Sequence, residues 1–350
     1  MNFTEEEYLL QRKHLNPLVF LKANDIFTNS YYNKSSDAKR FKNYIIMGID
    51  GVKHDVPNTL QNRKYFEIHP AKASTSVMYD LENHIYMNVQ LQKFDYSEIE
   101  MAKDNLNDAL EILNSNNFIV TFDKNYISLK FIKWLNEKGI KYVFRLEKNK
   151  YNKDVNTSKN NNGIIDSNYS YAQLQSLILN YRKETKKIKE LEKTMVRITK
   201  KNIGDNKDII ILSNLDMEEF SAEDILEIYE KRWNIEGSYD YMKNILCEEC
   251  FTENLPIIVE QDLYAQILIY NQIQDMINEI LSIKNKSFTP ENKVYEDKNT
   301  VLFKEKIIET ILIQNKEKSK EEYDKLMEKI TNHVSIISSS FQLYRKEQNF

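Results

Sequence analysis

The order of apolar runs along the chain most constrains its fold. Three runs with strand character come first, the last two of them joined by a turn near Glu82–Asn83, and helical and strand-like segments then alternate. The five strand-like runs are YIIMGID (44–50), STSVMYDL (74–81), HIYMNVQLQKF (84–94), NFIVTFD (117–123) and IKYVFRLE (140–147). This order predicts an α/β fold, a mixed sheet flanked by helices.

Polar stretches and turn signals divide the chain into parts. An Asn-rich connection follows the fifth run, and two strands around a turn at Gly204–Asp205 come next. Ser221 is the expected N-cap of the following helix, with Asp224 at the capping-box position. We therefore expect a short helical segment (1–43), a core in two parts (44–148 and 221–285), an insertion with β-strands between them (149–220), and a linker with a helical tail (286–350).

Charge is distributed unevenly along the sequence. The net charge is −4, yet residues 124–153 and 182–201 are rich in Lys and Arg, and residues 216–262 are rich in Asp and Glu. Basic segments can bind a polyanion while an acidic segment binds metal cations, although ordinary surface charge is the alternative for each block. The start is acidic and polar, and no apolar run is long enough to span a bilayer. We therefore expect a cytoplasmic protein.

Two cysteines, Cys247 and Cys250, form a C-x-x-C pair. A zinc site would need further Cys or His ligands, and the five His are scattered along the chain. Two free thiols are the favoured interpretation.

Two of the apolar runs end in an aspartate, Asp50 and Asp123. Sites in open α/β sheets gather at the carboxyl ends of strands, so the two side chains, together with Glu236 from a later helix, could converge. Carboxylates that close repel one another unless cations neutralise them, and hard oxygen ligands suit Mg²⁺ or Mn²⁺. Two such ions can clamp the attacking and leaving oxygens of a phosphodiester. A loop or capping role is the alternative for each Asp taken alone.

The stretch YEKRWNIEGSYDYMK (229–243) places four polar side chains on one helical stripe. At about 100° per residue, Tyr229, Arg232, Glu236 and Lys243 fall within about 60° of arc, at the border of the apolar face. A helix that lines a groove carries polar groups there, and a stripe about 21 Å long suits an extended anionic ligand. The alternative is an ordinary amphipathic helix with an incidental Arg232–Glu236 pair.

The spacing Y-x2-R-x3-E-x6-K of this stripe resembles the signature of bacterial DDE transposases of the insertion-sequence-four group. IMGIDGVKHDVPNT resembles the segment around the first Asp of that family, and VTFDKNYISLKFIKWLNEKGIKYVFRLEKN the segment around the second. VEQDLYAQILIYN is similar to the helix that follows the Glu. The similarity covers roughly residues 5–275, in the family's order.

This resemblance implies an RNase H-like catalytic core interrupted by a β-containing insertion and followed by a helical C-terminal tail. It implies that Asp50, Asp123 and Glu236 are the catalytic triad and hold two Mg²⁺ (or Mn²⁺) ions.

The same resemblance implies the DNA contacts. Tyr229, Arg232 and Lys243 would contact transposon-end DNA. Lys124 stands where the family usually has an arginine; it keeps the charge but loses the fork geometry, and it is expected to contact DNA as well.

The implied function is that of a DNA transposase. It would cleave double-stranded DNA at terminal inverted repeats, transfer the ends to target DNA, and act as a dimer on paired ends at the nucleoid. Two alternatives stay open. The segment before Asp50 is shorter than is usual in the family, as in a truncated copy that binds DNA and inhibits transposition. A metal-dependent nuclease on the same fold is the other.

Overall fold

The computed structural model describes residues 4–34, 38–146, 164–170, 195–202, 208–238 and 251–285. The helices are α1 (Glu5–Arg12), α2 (Leu18–Lys34), α3 (Leu60–Tyr65), α4 (Glu98–Leu113), α5 (Leu129–Glu137), α6 (Ala222–Glu230) and α7 (Pro256–Asn285). The strands are β1 (Ile45–Asp55), β2 (Lys72–Asp80), β3 (Tyr86–Lys93), β4 (Phe118–Phe122), β5 (Lys141–Leu146), β6 (Ile165–Ser170), β7 (Met195–Asn202) and β8 (Asp208–Ser213). Residues 233–238 are also helical, and they form the Glu236 segment.

The chain forms two compact units, Met1–Gln266 and Ile267–Phe350, and the sheet belongs to the first. The eight strands have the order β3-β2-β1-β4-β5-β8-β7-β6. β1, β2 and β3 pair antiparallel, whereas β4 and β5 run parallel to β1. Three antiparallel strands joined to two parallel ones in the order 3-2-1-4-5 are the arrangement of an RNase H-like core. The predicted α/β fold class is confirmed.

The described strands of the predicted insertion belong to the same sheet. β8 pairs antiparallel with β5, β7 pairs with β8, and β6 pairs with β7. The two strands predicted on either side of Gly204–Asp205 are present as β7 and β8, while residues 203–207 themselves lie outside the described ranges.

A buried arginine ties this extension to the start of α6. Arg197 on β7 is 2% exposed and binds Asp166 on β6 through two hydrogen bonds, Nε to Oδ1 at 2.9 Å and Nη2 to Oδ2 at 2.6 Å. Its Nη1 also donates to the backbone oxygens of Leu215, Asp216 and Phe220. A single guanidinium therefore connects two inserted strands with the loop that leads into α6.

The apolar core lies between the sheet and helices α2, α4 and α5. α4 begins after Ser97, whose side chain accepts a hydrogen bond from the Glu100 amide, and ends at Asn114 in the left-handed conformation (φ 48°). The predicted cap of α6 is also present, because Ser221 and Asp224 form a reciprocal capping box. Within the described ranges, no helix is both long enough and apolar enough to span a membrane.

The structure corrects the predicted end of the first strand. β1 continues through Asp55, so Asp50 lies inside the strand, and residues 51–55, which the predicted run did not include, are paired with β2. The reason is the antiparallel partner: β2 pairs with β1 from Met47 opposite Asp80 to Asp55 opposite Lys72.

The single helix predicted for the stripe is also corrected. α6 ends at Glu230, residues 231–232 form a turn, and the Glu236 segment follows. The turn is tight because the amides of Arg232 and Ile235 bond to carbonyls only three residues back, at 3.0 Å each. Three predictions lie outside the described residues: the role of Lys243, the state of Cys247 and Cys250, and the tail 286–350. Most of the basic block 182–201 lies outside them too.

Candidate active site

Asp50 and Asp123 are neighbours at the carboxyl end of the parallel β1–β4 ladder. The last Cα pair of that ladder joins Ile49 to Phe122, and each aspartate directly follows its member of the pair. Asp123 precedes a 3₁₀ turn and makes no side-chain capping bond to it. Asp50 Oδ1 accepts a hydrogen bond from the Gly51 amide at 2.9 Å. The register thus places two carboxylates side by side where β4 ends and β1 continues.

The environment of Asp50 disfavours a bare negative charge. Burial, with smaller contributions from the carboxylates of Asp123 and Glu98, raises the pKa of Asp50 to about 6. The Gly51 amide and the Arg232 guanidinium act in the opposite direction, because both stabilise the ionised form. A cation that neutralises these carboxylates therefore stabilises a site of this kind.

Arg232 is hydrogen-bonded to two other residues of the stripe, Tyr229 and Glu236. Its Nε donates to the Tyr229 hydroxyl at 3.1 Å, and its Nη2 donates to Glu236 Oε1 at 3.2 Å. The charge of Asp123 also favours the protonated guanidinium and contributes to raising the pKa of Arg232, although burial opposes this. Arg232 is 7% exposed and Tyr229 is 4% exposed, so both side chains are buried. The carboxylates around the Arg232 guanidinium compensate its charge and so permit its burial.

The Glu236 segment lies against β1 on the face that carries Asp50. A Cβ placed on Gly48 would lie 3.2 Å from Ile235 Cδ1, which shows how closely the segment approaches the strand. Side chains two residues apart on a strand share a face, so Gly48 and Asp50 face the same side. Glu236 directly follows Ile235 and keeps 47% of its side chain exposed.

Polar contacts fix the segment in this position. They tie it to the β2–β3 hairpin at three points: Asn234 Nδ2 to the Leu81 carbonyl at 2.8 Å, the Tyr86 hydroxyl to the Ser238 carbonyl at 3.0 Å, and the Lys231–Glu82 ion pair at 2.6 Å. The position of the segment is therefore set by tertiary contacts at both of its ends.

The donor set suits a hard divalent cation. Among the described residues, no three His, Cys, Asp or Glu side chains already form a closed group around one point. Mg²⁺ does not require one, because it is commonly held by one or two carboxylates, several waters and substrate phosphates. The Asp50–Asp123 pair meets that requirement, while the Glu236 carboxylate is held by Arg232.

Other predicted and unpredicted residues lie around this pair. Lys124 directly follows Asp123 in the 3₁₀ turn and is partly exposed. Trp233 is 41% exposed, and the Arg232 guanidinium lies 5.1 Å from its ring centre. The sequence analysis did not single out Trp233, Glu98 or Tyr126. Trp233 could have been noticed because it lies within the signature stretch, next to Arg232. No local sequence pattern links Glu98 or Tyr126 to the aspartates.

Comparisons with known proteins give one family and two weaker likenesses. Over 173 residues, 46% of this chain, the sequence is 28% identical to the glutamate–tRNA ligase of Mycoplasma mycoides subsp. mycoides SC, and it spans 33% of that protein. The fold resembles a piggyBac transposase synaptic complex with hairpin DNA, solved by cryo-electron microscopy, with a TM-score of 0.43 and 10% identity. That likeness covers 83% of this chain and 57% of the piggyBac chain. At these levels, neither assigns an activity to this chain.

The family match covers well over half of the sequence. Residues 43–272 match the family described as "Transposase DDE domain", a range that includes β1, β4, α6 and the Glu236 segment. The chain therefore belongs to the transposase DDE-domain family.

Proposed function

We propose that this chain is a DDE transposase that uses divalent metal ions to cleave transposon ends and join them to target DNA. The observation that carries the proposal is the position of Asp50 and Asp123, side by side at the end of the β1–β4 ladder in an RNase H-like core. Glu236 approaches the same face of β1 and is the proposed third member of the triad.

The residues of the site have complementary roles in this proposal. Asp50, Asp123 and Glu236 would hold two Mg²⁺ or Mn²⁺ ions, which would supply activation of a nucleophile and compensation of the charge at the phosphate. Arg232 donates one N–H group to Glu236 and another to the phosphate, because a guanidinium can bind a carboxylate and a phosphate through separate N–H groups. Tyr229 holds the Arg232 Nε and so fixes the direction of the fork.

DNA is the proposed partner. Arg232 and Tyr229 lie at the acidic pair, so the scissile phosphate is their proposed ligand, with Lys124 contacting the backbone next to Asp123. Lys243 extends the same contact in the proposal. The DNA consists of terminal inverted repeats and a target duplex, and two protomers bring the paired ends together.

An end-cleavage assay tests this function. The full chain is incubated with Mg²⁺, a labelled duplex that carries the terminal repeats flanking its own gene, and a target plasmid. We expect a 3′-hydroxyl end and joined products, neither of which forms with Asp50→Asn. Cleavage without joining would identify a nuclease instead. Binding of the ends without any cleavage would identify an inhibitor of transposition.

A further inference from the structure

Gly51 leaves a space beside the acidic pair that two other side chains occupy. A Cβ built on Gly51 would lie 3.5 Å from Glu98 Cγ, 3.7 Å from Glu98 Cδ and 3.4 Å from the Tyr126 hydroxyl oxygen. Gly51 and Asp50 face opposite sides of β1, since adjacent strand residues alternate. Glu98 therefore reaches the site from the α4 side, whereas the Glu236 segment lies on the other.

The end of β4 opens a path between these two sides. β4 stops at Phe122, and the β1–β4 ladder ends at the pair of Ile49 and Phe122. Among the described residues, no strand pairs with β1 beyond Ile49 on that edge, which is the edge next to Asp50. Glu98 is the first residue of α4, is exposed to solvent, and its charge contributes to the electrostatic environment of Asp50. Its carboxylate therefore lies close to the Asp50–Asp123 pair and is exposed to solvent.

A second observation at the same place points to a ligand. Tyr126 is 2% exposed, and its hydroxyl has no well-formed hydrogen bond within the part of the chain that the structure describes. The Ser76 hydroxyl lies nearby and accepts a hydrogen bond from the Asn105 amide; it can also donate to the phenol oxygen, and that bond leaves the Tyr126 O–H available to donate. A buried phenol O–H without an acceptor costs free energy, which an oxygen bound between it and the carboxylates would recover.

We propose that Glu98 is a further metal-binding residue, whose carboxylate helps Asp50 and Asp123 to hold a divalent cation from the α4 side, with the Tyr126 hydroxyl donating to an oxygen in that ion's coordination shell. This inference rests on the proposed function, because it adds a residue to the same site. It extends the acidic set from a triad to four groups, with Glu98 approaching from the α4 side of β1 and Glu236 from the other side.

Glu98 also has a simpler role, since an acidic residue in the first turn of a helix stabilises the helix dipole. Glu100 shares that role. It lies in the same first turn, is exposed, and pairs with Lys103 at 2.7 Å. The variants Glu98→Gln and Glu100→Gln remove the same charge from the same turn, so apart from the exposed Glu100–Lys103 pair only a role in metal binding distinguishes them.

The test measures Mn²⁺ binding to the full chain by electron paramagnetic resonance of the free ion, without DNA and without turnover. We expect Glu98→Gln to weaken Mn²⁺ binding by about tenfold or more, as loss of a supporting ligand does. Glu100→Gln should bind as the unmodified chain does. Equal affinities of these two variants would overturn the proposal.

Two further variants keep the result interpretable. Glu98→Asp retains the helix-dipole charge but withdraws the carboxylate by one methylene, so weaker Mn²⁺ binding with an unchanged melting temperature in EDTA supports the proposal. Asp50→Asn tests the underlying site. If Asp50→Asn loses Mn²⁺ and Glu98→Gln retains it, only the role of Glu98 fails. If Asp50→Asn binds Mn²⁺ normally, the metal site of the proposed function fails as well.

Discussion

Ile235 packs directly on the backbone of Gly48, and this contact sets the distance between the Glu236 segment and β1. A Cβ on Gly48 would lie 3.2 Å from Ile235 Cδ1 and 3.0 Å from Leu81 Cδ2. Both are tighter than ordinary van der Waals contact, so the segment can approach the strand only because residue 48 has no side chain.

Gly48→Ala should therefore displace the Glu236 segment. We expect a loss of about 1–3 kcal/mol in the free energy of unfolding, as for other overpacked sites, and a larger relative loss of end cleavage. Gly237→Ala is the matched control, because nothing lies within 4 Å of a Cβ at that position. Chemical denaturation and the cleavage assay measure both effects. Equal behaviour of the two alanine variants would show that the close approach has no influence on the site.

Each member of the proposed triad should be needed for chemistry but not for DNA binding. We expect Asp50→Asn, Asp123→Asn and Glu236→Gln each to abolish end cleavage, because each removes a negative ligand from the cation. Phosphate contacts come from other residues, so the affinity for end DNA in a mobility-shift assay should stay near that of the unmodified chain. A variant that cleaves at nearly the original rate removes its residue from the triad.

Arg197 should be among the residues most costly to replace. Arg197→Met removes both guanidinium hydrogen bonds to Asp166, which keeps its bond from Thr199, and the guanidinium donor to three backbone carbonyls, so we expect a loss of about 3 kcal/mol or more in the free energy of unfolding. Lys72→Met is the comparison, because the Lys72–Asp55 pair lies on the surface and should contribute about 1 kcal/mol or less. Urea denaturation of both variants measures the difference. Similar losses would mean that the buried network contributes no more than a surface pair.

The stability of the fold should fall in mild acid, partly through His84. Burial, with a smaller contribution from the charge of Lys39, lowers the pKa of His84 to about 4. Between the ordinary value of 6.5 and about 4, the unfolded chain binds a proton at this residue that the folded chain does not, so stability decreases as the pH falls through that window.

His84→Asn tests this dependence. Residue 84 has a φ of 59°, which asparagine tolerates, and asparagine does not titrate. We expect little change in the melting temperature at pH 7.5. On going to pH 4.5, the variant should lose about 1–2 kcal/mol less of its free energy of unfolding than the original chain does. Part of the acid effect should persist, because burial lowers the pKa of His54 to about 4 as well. An identical pH profile for the variant and the original chain would contradict the assignment.

The sequence predicted those features of the fold that depend on local pattern. The five core strands, the caps at Ser221 and Asp224, and the two strands of the insertion follow from runs of apolar residues and turn residues, and all are present. The continuation of β1 through Asp55 was missed because residues 51–55 contain only one sizeable apolar residue, Val52, and pair with β2, an interaction that no local pattern encodes.

The candidate site was predictable only in part for the same reason. The aspartates follow apolar strands, so their position at one end of the sheet could be inferred from order. The break after Glu230 and the burial of Arg232 could not, because they depend on contacts of the Glu236 segment with Gly48 and the β2–β3 hairpin. Glu98 reaches the site from the first turn of α4, and no motif or spacing in the sequence connects that helix with either aspartate.

The Arg197 network has a consequence for attempts to shorten the protein. Strands β6 to β8 look like a removable insertion, since β5 already completes the order 3-2-1-4-5. Yet Arg197 holds the carbonyls of residues 215, 216 and 220, directly before the cap of α6. A shortened chain made by joining residue 146 to residue 214 would lose the anchor of the helix that leads to Glu236. The inserted strands are thus part of the smallest unit that keeps this helix in place, and any shortened version of the protein should retain them.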